Sequence, residues 1–232
     1  MHRFYIPDLP SSGRTQLSAD EAKHAAGVLR IQSGDSVEIF DGKDHEAQAT
    51  VLEVGKRSVT LEINSHNKCD RELTRLVKAF VSLPKGDRQK TLVDGLTQLG
   101  ISNLIPLQTR RGVAQPTTNA LQRLRRSVVE TCKQCRRNRL METDAPVSIE
   151  ELNLDDHLKL YAHPYGESLP LVSATFDSTA PISFAIGPEG GFSDEEVASL
   201  DALGWKRVSL GPRILRIEIA ALATAAIVSA SS

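Results

Sequence analysis

At 232 residues the chain is long enough for one large or two small domains with a real core. Its 28 Lys and Arg balance 29 Asp and Glu to a formal net charge of −1, which excludes a generally basic nucleic-acid binder and confines any anion-binding surface to a local patch. No charge-free apolar run reaches about 18 residues, so neither a membrane span nor a leader before Met1-His2-Arg3 is expected, and the three cysteines are expected as reduced thiols in a cytoplasm.

In chain order, residues 1–70 read as a small β-rich domain. A first strand is expected over 3–6, and Ser18-Ala19-Asp20-Glu21 has the form of a capping box opening a short helix through His24 to residue 29. Val37-Glu38-Ile39-Phe40 alternates as a strand, and Asp41-Gly42-Lys43 is a hairpin turn. Alternating runs at 46–54 and 58–63, hinged by Gly55-Lys56, complete a set of short strands and tight turns that suggests a small barrel. The polar stretch 64–72 reads as a linker.

From Arg75 onward strands and helices alternate, the signature of an α/β domain, assigned here to 74–232. A strand over 76–82 leads into Pro84-Lys85-Gly86-Asp87, then a helix over 88–99 ends at Gly100, and a strand follows over 101–107. Lys85 and Arg88 sit at the head of that helix, where Arg88 reads as surface charge. Between Gln108 and Arg139 nine basic residues (Arg110, Arg111, Arg123, Arg125, Arg126, Lys133, Arg136, Arg137, Arg139) meet one acid, Glu130. The stretch therefore carries 9 − 1 = +8, leaving −1 − 8 = −9 for the rest of the chain. Such a face suits a phosphate backbone; a plain solvated helix this rich in one sign would repel itself.

The same stretch has helical character over 119–139. Cys132-Lys133-Gln134-Cys135 lies inside it with no second cysteine pair and no adjacent histidine, so these read as core or helix-face thiols rather than metal ligands. An acidic, proline-bearing connection at 144–158 leads to a strand over 159–162, the turn His163-Pro164, a short helix over 168–175 and a loop at 177–181. Ile182-Ser183-Phe184-Ala185-Ile186 then reads as a buried parallel strand. Gly187-Pro188-Glu189-Gly190-Gly191 makes a bare loop that a ligand can approach closely. Ser193-Asp194-Glu195-Glu196 forms a second capping box, with a helix to about 203, a strand at 206–209, the loop 210–216 and an alanine-rich helix over 218–230. Two glycine-bearing loops thus follow two strands at the ligand-binding edge of one sheet, either as binding loops or as ordinary turns, and neither carries a dinucleotide or Walker fingerprint.

Taken together, the strand with Gly187-Pro188-Glu189-Gly190-Gly191-Phe192-Ser193, then Leu210-Gly211, Arg213-Ile214-Leu215-Arg216 and Glu218 at the head of a last helix, resemble the SPOUT methyltransferases. The likeness is greatest to the RsmE family, which methylates N3 of a uridine in 16S ribosomal RNA. Three further segments agree in order: His24 to Arg30 with Gly34-Asp35 and Phe40-Asp41-Gly42; Pro84-Lys85-Gly86-Asp87 with Leu99-Gly100-Ile101; and Val129 to Arg139.

The resemblance implies an α/β fold: a C-terminal SPOUT domain with a parallel sheet and deep trefoil knot, plus an N-terminal PUA-like β-barrel that binds RNA. It implies S-adenosyl-L-methionine as cofactor, S-adenosyl-L-homocysteine as product, no metal, 16S rRNA or the small subunit as partner, and a cytoplasmic homodimer whose site is completed across the interface. Carried onto this sequence, the cofactor residues are Ala162, His163, Pro164, Ile186, Gly187, Pro188, Glu189, Gly190, Gly191, Leu210, Gly211, Ile214 and Leu215. Arg3, His24, Arg30, Lys43, Lys85, Arg110, Arg111, Arg136, Arg137 and Arg139 become candidates for RNA contact, against the plainer reading of solvated surface charge.

Arg216 and Glu218 are the expected catalytic pair. Arg216 would hold a phosphate or the developing enolate oxygen, and Glu218 would orient the base or accept its proton, or else simply cap the helix. Two positions depart from the family text: Ile219 replaces a threonine and Met141 a proline. A methyltransferase for another rRNA or tRNA base, or a non-catalytic RNA-binding protein on the same fold, would share most of these features.

Overall fold

The structure is a computed structural model that describes residues 1–232 except 114, 115, 153, 155, 166, 176–179 and 232. The chain forms two compact units, one from Met1–Glu72 with Val129–Leu140, the other from Leu73–Val128 with Met141–Ser232. The assignment of everything from 74 onward to one domain thus differs from this division at Val129–Leu140, which packs with the N-terminal segment.

In the first unit, β1 (His2–Tyr5), β2 (Gly13–Gln16), β3 (Ser36–Phe40), β4 (His45–Val54) and β5 (Val59–Lys68) make one sheet in the order β1-β3-β4-β5-β2. Only the β1–β3 pair is parallel. Register shifts at Gln48/Ala49 and Val51/Glu53 interrupt the regular β4–β5 pairing, the kind of irregularity that lets a long strand curve. Inward positions supply the core: Phe4, Val37, Ile39, Ala47, Ala49, Val59 and Leu61 are all buried. The expected linker at 64–72 begins as the end of β5, where Ser65 to Lys68 still pair with β4. Helix α1 (Ala19–His24) is capped by Ser18 Oγ, which accepts from Glu21 N at 3.3 Å. The expected continuation to residue 29 instead widens into a π-helical turn, Ala25–Leu29, and stops at Arg30 in the left-handed region (φ 53).

Ion pairs tie the returning Val129–Leu140 segment into this unit. Arg3 Nε lies 2.8 Å from Glu38 Oε1, with the two side chains only 6 % and 3 % exposed. The Arg3 guanidinium also stacks 4.3 Å over the Phe40 ring and donates to the Cys132 carbonyl at 2.7 Å. Arg137 Nε donates to Glu72 Oε1 at 2.8 Å, while Arg136 pairs with Glu38 and Arg139 with Asp44. These pairings engage Arg3 and Arg137, both named as candidates for RNA contact, within the fold. Both are buried against carboxylates, and withdrawing either would strand a desolvated charge.

In the second unit, β6 (Val77–Val81), β7 (Asn103–Pro106), β8 (Glu142–Thr143), β9 (Leu158–Ala162), β10 (Leu169–Pro170), β11 (Ile182–Ile186) and β12 (Lys206–Ser209) form a wholly parallel sheet. Its order is β10-β12-β9-β11-β6-β7-β8. Strand β11 is central and buried at all five positions, as its unbroken apolar character requires. Helices α2 (Arg88–Gln98), α3 (Thr118–Cys135), α4 (Leu171–Thr175), α5 (Asp194–Ala202) and α6 (Ile217–Ala230) complete the chain, the last turns of α3 belonging to the first unit.

On one sheet face Phe80, Ile105, Tyr161 and Ala185 form a core with Leu200 of α5 and Trp205, whose indole N–H donates to the Leu152 carbonyl at 3.3 Å. Helices α2 and α6 pack on each other, Gly95 lying flush against Leu222. The expected helix at 168–175 opens as the two-residue strand β10 before α4. The loop expected at 177–181 lies, up to residue 179, outside the described residues.

Candidate active site

Strands β9, β11 and β12 run side by side in parallel, so their C-terminal ends open on one edge of the sheet. The segments leaving them line one cavity together with the start of α6: Ala162, His163, Pro164 and Tyr165; Ile186 to Phe192; Leu210, Gly211, Arg213, Ile214 and Leu215; then Ile217 and Ala220. All thirteen residues carried over for the cofactor therefore meet around a single space. Tyr165, Phe192, Arg213, Ile217 and Ala220 also line it and were not singled out; Phe192 and Arg213 stand inside the quoted motifs.

Backbone geometry explains the glycines. Gly187 packs so that an added Cβ would meet the Phe192 ring at 3.1 Å, and Gly191 (φ 70) closes a turn by donating its N–H to the Pro188 carbonyl at 2.8 Å. The following helix starts on the expected capping box. Ser193 Oγ accepts from Glu196 N at 3.3 Å, and Ser193 N donates to Glu196 Oε2 at 2.7 Å. Glu196 also accepts the Arg110 backbone N–H at 2.8 Å, and the Arg111 guanidinium donates to the Gly190 carbonyl at 2.8 Å. The glycine loop is therefore held from outside by the segment after β7. Beneath the cavity Tyr161 is fixed, donating to Asp201 Oδ1 at 2.7 Å and accepting from Arg207 Nε at 2.9 Å. Burial first, then the bond to Asp201, push its phenol pKa up, so it stays neutral. His163 turns its ring into its own loop, Nδ1 lying 2.9 Å from the Tyr165 carbonyl, which suits the plain turn role.

Comparison with known proteins agrees with this arrangement. The RNA methyltransferase domain family matches residues 71–229, and the RNA methyltransferase PUA domain family matches 17–64. The chain belongs to the RNA methyltransferase family. It is 31 % identical to the ribosomal RNA small subunit methyltransferase E of Rickettsia conorii, across 95 % of this chain and 92 % of that protein. To the same-named protein of Synechocystis it is 32 % identical, across 86 % and 67 %. Two solved structures superpose almost end to end. A Legionella pneumophila methyltransferase in complex with its cofactor SAM gives a TM-score of 0.90 at 29 % identity, covering 98 % of this chain and 96 % of that one. The ribosomal RNA small subunit methyltransferase E of Neisseria gonorrhoeae, bound to S-adenosyl methionine, gives 0.89 at 27 %, covering 97 % and 95 %. The chain accordingly groups with the RsmE members of the family.

In this methyltransferase Arg216 and Glu218 flank the cavity without lining it. Arg216 is the exposed N-cap residue of α6 and makes no side-chain cap. Glu218, in the first turn of α6, is buried (5 % exposed), and its Oε2 has no hydrogen-bond partner among the described residues. Arg88 spans the gap, its Nη1 lying 3.0 Å from Glu189 Oε1 in the glycine loop and 4.0 Å from Glu218 Oε2. Reading Arg88 as free surface charge missed this role, because both partners lie more than 100 positions away in sequence. Ile219 is 46 % exposed, so the departure from threonine falls at the surface of α6 rather than in its buried face. Met141 is buried in the sheet unit.

The remaining RNA candidates fall on both units. His24, Arg30 and Lys43 are exposed on the first unit, with Lys43 Nζ 3.4 Å from the Pro7 carbonyl; Lys85 is exposed ahead of α2. Arg110 and Arg111 are exposed but committed to Glu195 and the glycine loop, and Arg136 and Arg139 to Glu38 and Asp44. Among the described residues no cluster of three or more His, Cys, Asp or Glu is placed to hold a metal, and no helix is long and apolar enough to cross a membrane.

Proposed function

We propose that this protein methylates N3 of a specific uridine in 16S ribosomal RNA with S-adenosyl-L-methionine as donor. The observation that carries the reading is the cavity: apolar walls from Ile186, Leu210, Ile214, Leu215, Ile217 and Ala220, with glycine backbone at 187, 190, 191 and 211. Bare backbone can be approached closely and offers N–H and C=O groups to a purine edge or ribose, while the aliphatic walls exclude water. The residues therefore fit an adenosyl group bearing a short charged tail. When bound, that group supplies an electrophilic methyl on sulfonium and leaves as S-adenosyl-L-homocysteine.

The chain's own residues then have three tasks. The cavity walls and rim orient the donor and the base for in-line approach. Glu218, buried with one oxygen unpartnered, takes the N3 proton or fixes the base, and Arg88 beside it holds the carboxylate in place. Arg216, at the exposed head of α6, holds a phosphate or the uracil oxygen on which negative charge develops. The first unit would bring the RNA, with residues 74–232 carrying the chemistry in a cytoplasmic homodimer whose C-terminal segment is knotted. Exposed Val172 on α4 and Ile219 on α6, helices that contact one another, with Ile214 in the preceding loop, support an apolar self-association surface.

The test is transfer of labelled methyl to small ribosomal subunits lacking native modification, followed by nucleoside analysis. Wild type should yield 3-methyluridine. Glu218→Gln and Arg216→Ala should each lower kcat by roughly 10²-fold or more while cofactor affinity by calorimetry stays near wild type. Label in another nucleoside overturns the base assignment, and unchanged kcat in Glu218→Gln overturns its role as proton acceptor.

A further inference from the structure

The basic stretch after β7 owes most of its charge to residues already engaged within the fold. Arg110 pairs with Glu195 at 3.2 Å, Arg111 donates to Gly190, and Arg125 donates to Thr143 Oγ1 and to its carbonyl, each at 3.0 Å. Lys133 pairs with Glu21 and Glu130, and Arg136, Arg137 and Arg139 hold Glu38, Glu72 and Asp44. Of the nine basic side chains, that leaves Arg123 and Arg126. Both are exposed, and among the described residues neither makes a hydrogen bond or an ion pair.

They are also placed together. Arg123 and Arg126 line a shallow cleft with Thr117, Asn119 and Gln122. Positions 119, 122, 123 and 126 follow the i, i+3, i+4, i+7 spacing of one helical face of α3. No acid occurs between Gln108 and Glu130 to neutralise that face, and the Glu130 carboxylate accepts from Lys133 Nζ at 2.8 Å. Two like charges one turn apart weaken a helix, and an outside anion bound between them would relieve that repulsion.

We infer that this face of α3 is a phosphate-contact groove for the RNA substrate, with Arg123 and Arg126 taking backbone phosphates and Thr117, Asn119 and Gln122 taking neighbouring phosphate or sugar oxygens. The inference rests on RNA being the substrate, and it relocates the backbone contact from the arginines that serve the fold to the two that do not. Arginine suits the role because its planar fork grips phosphate bidentately. Thr117 follows Arg111 by six residues, so the cleft begins within about 20 Å of the residue that holds the glycine loop, a span one RNA segment can bridge.

The experiment uses the full chain and a small-subunit rRNA transcript, with binding measured from about 50 to 200 mM salt. Wild type is compared with Arg123→Gln/Arg126→Gln and with Arg123→Lys/Arg126→Lys. Removing two phosphate contacts should flatten the slope of log K against log salt by about 1.4 on single strands, or about 1.8 on duplex. The KM for RNA should rise about tenfold with kcat unchanged, and the Lys pair should restore the slope. A Gln pair that melts with wild type yet keeps the wild-type slope and KM overturns the groove. So does unchanged RNA binding with weakened binding to intact subunits, which would assign the face to a ribosomal protein. A wild type that binds RNA but transfers no methyl sinks the methylation reading alone, and the slopes still decide the groove.

Discussion

One turn of α3 separates Cys132, fully buried, from Cys135, which is exposed at the helix end. The hydrogen bond between their side chains pulls the Cys135 thiol down to about 6, aided by backbone and charge from Arg137, while that bond and burial push the Cys132 thiol up. A lowered thiol pKa means the thiolate fraction rises with pH, reaching about half near 6 for Cys135 and approaching completion about a unit above. Alkylation by iodoacetamide, followed by peptide mass spectrometry, should therefore modify Cys135 at a rate that levels off between about pH 6 and 7, with Cys132 untouched until the protein unfolds. A Cys135 rate still climbing steeply through pH 8 would remove the thiolate. The pair was legible as core and helix-face thiols from its place in a helix. The coupling between them was not, because it depends on side-chain rotamers.

At the scale of elements, α2 and α6 meet through a glycine. A Cβ at Gly95 would sit 2.3 Å from Leu222 Cδ2, far inside contact distance. Gly95→Ala gains helix propensity of about 1 kcal/mol yet overpacks a close helix crossing, at about 1–3 kcal/mol. The net effect should be a lower thermal midpoint, and Leu222→Ala in the same chain should recover the overpacking part. A Gly95→Ala variant that melts higher than wild type would mean Leu222 moves aside freely. Elements with a strong local signal were readable beforehand: β11 from its apolar run, α5 from its capping box, β12 from its two flanking loops. Strand β2 was not, because Gly13-Arg14-Thr15-Gln16 is a polar edge strand whose pairing to β5, not its composition, makes it a strand. The cavity was legible for the same reason as β11. Glycine loops after parallel strands must open on one edge, whereas Arg88 acquires its role only when α2 is brought beside that edge.

At the scale of the whole molecule, the charge of the α3 region was misread in part because its partners are remote. Arg137 reaches Glu72 across 65 positions and Arg3 reaches Asn138 across 135, so a tally along the chain counts as surplus what the fold spends internally. The same pairings predict how the N-terminal unit behaves when cut out. A fragment of residues 1–72 lacks Val129–Leu140, leaving Glu72 without Arg137 and Asp44 without Arg139. The fragment loses the Arg136, Arg137 and Arg139 pairs and the Arg3–Cys132 contact together, against a total stability of only about 5–15 kcal/mol for a domain. The fragment should give a collapsed amide proton spectrum by NMR, and a well-dispersed one would show that the returning segment is dispensable.

A unit closed by a segment that arrives later in the chain also has a clock. From Leu73 through Leu140 the chain runs 140 − 72 = 68 residues. At a synthesis rate of about 5–20 residues per second, roughly 3–14 s pass between the end of the first segment and the arrival of its completing strip. During that interval Glu38, Asp44 and Glu72 wait without Arg136, Arg139 and Arg137, and the barrel emerges from the ribosome as an acidic, half-paired intermediate. The N-terminal unit is thus first to be translated and yet cannot finish folding until the middle of the chain has been made.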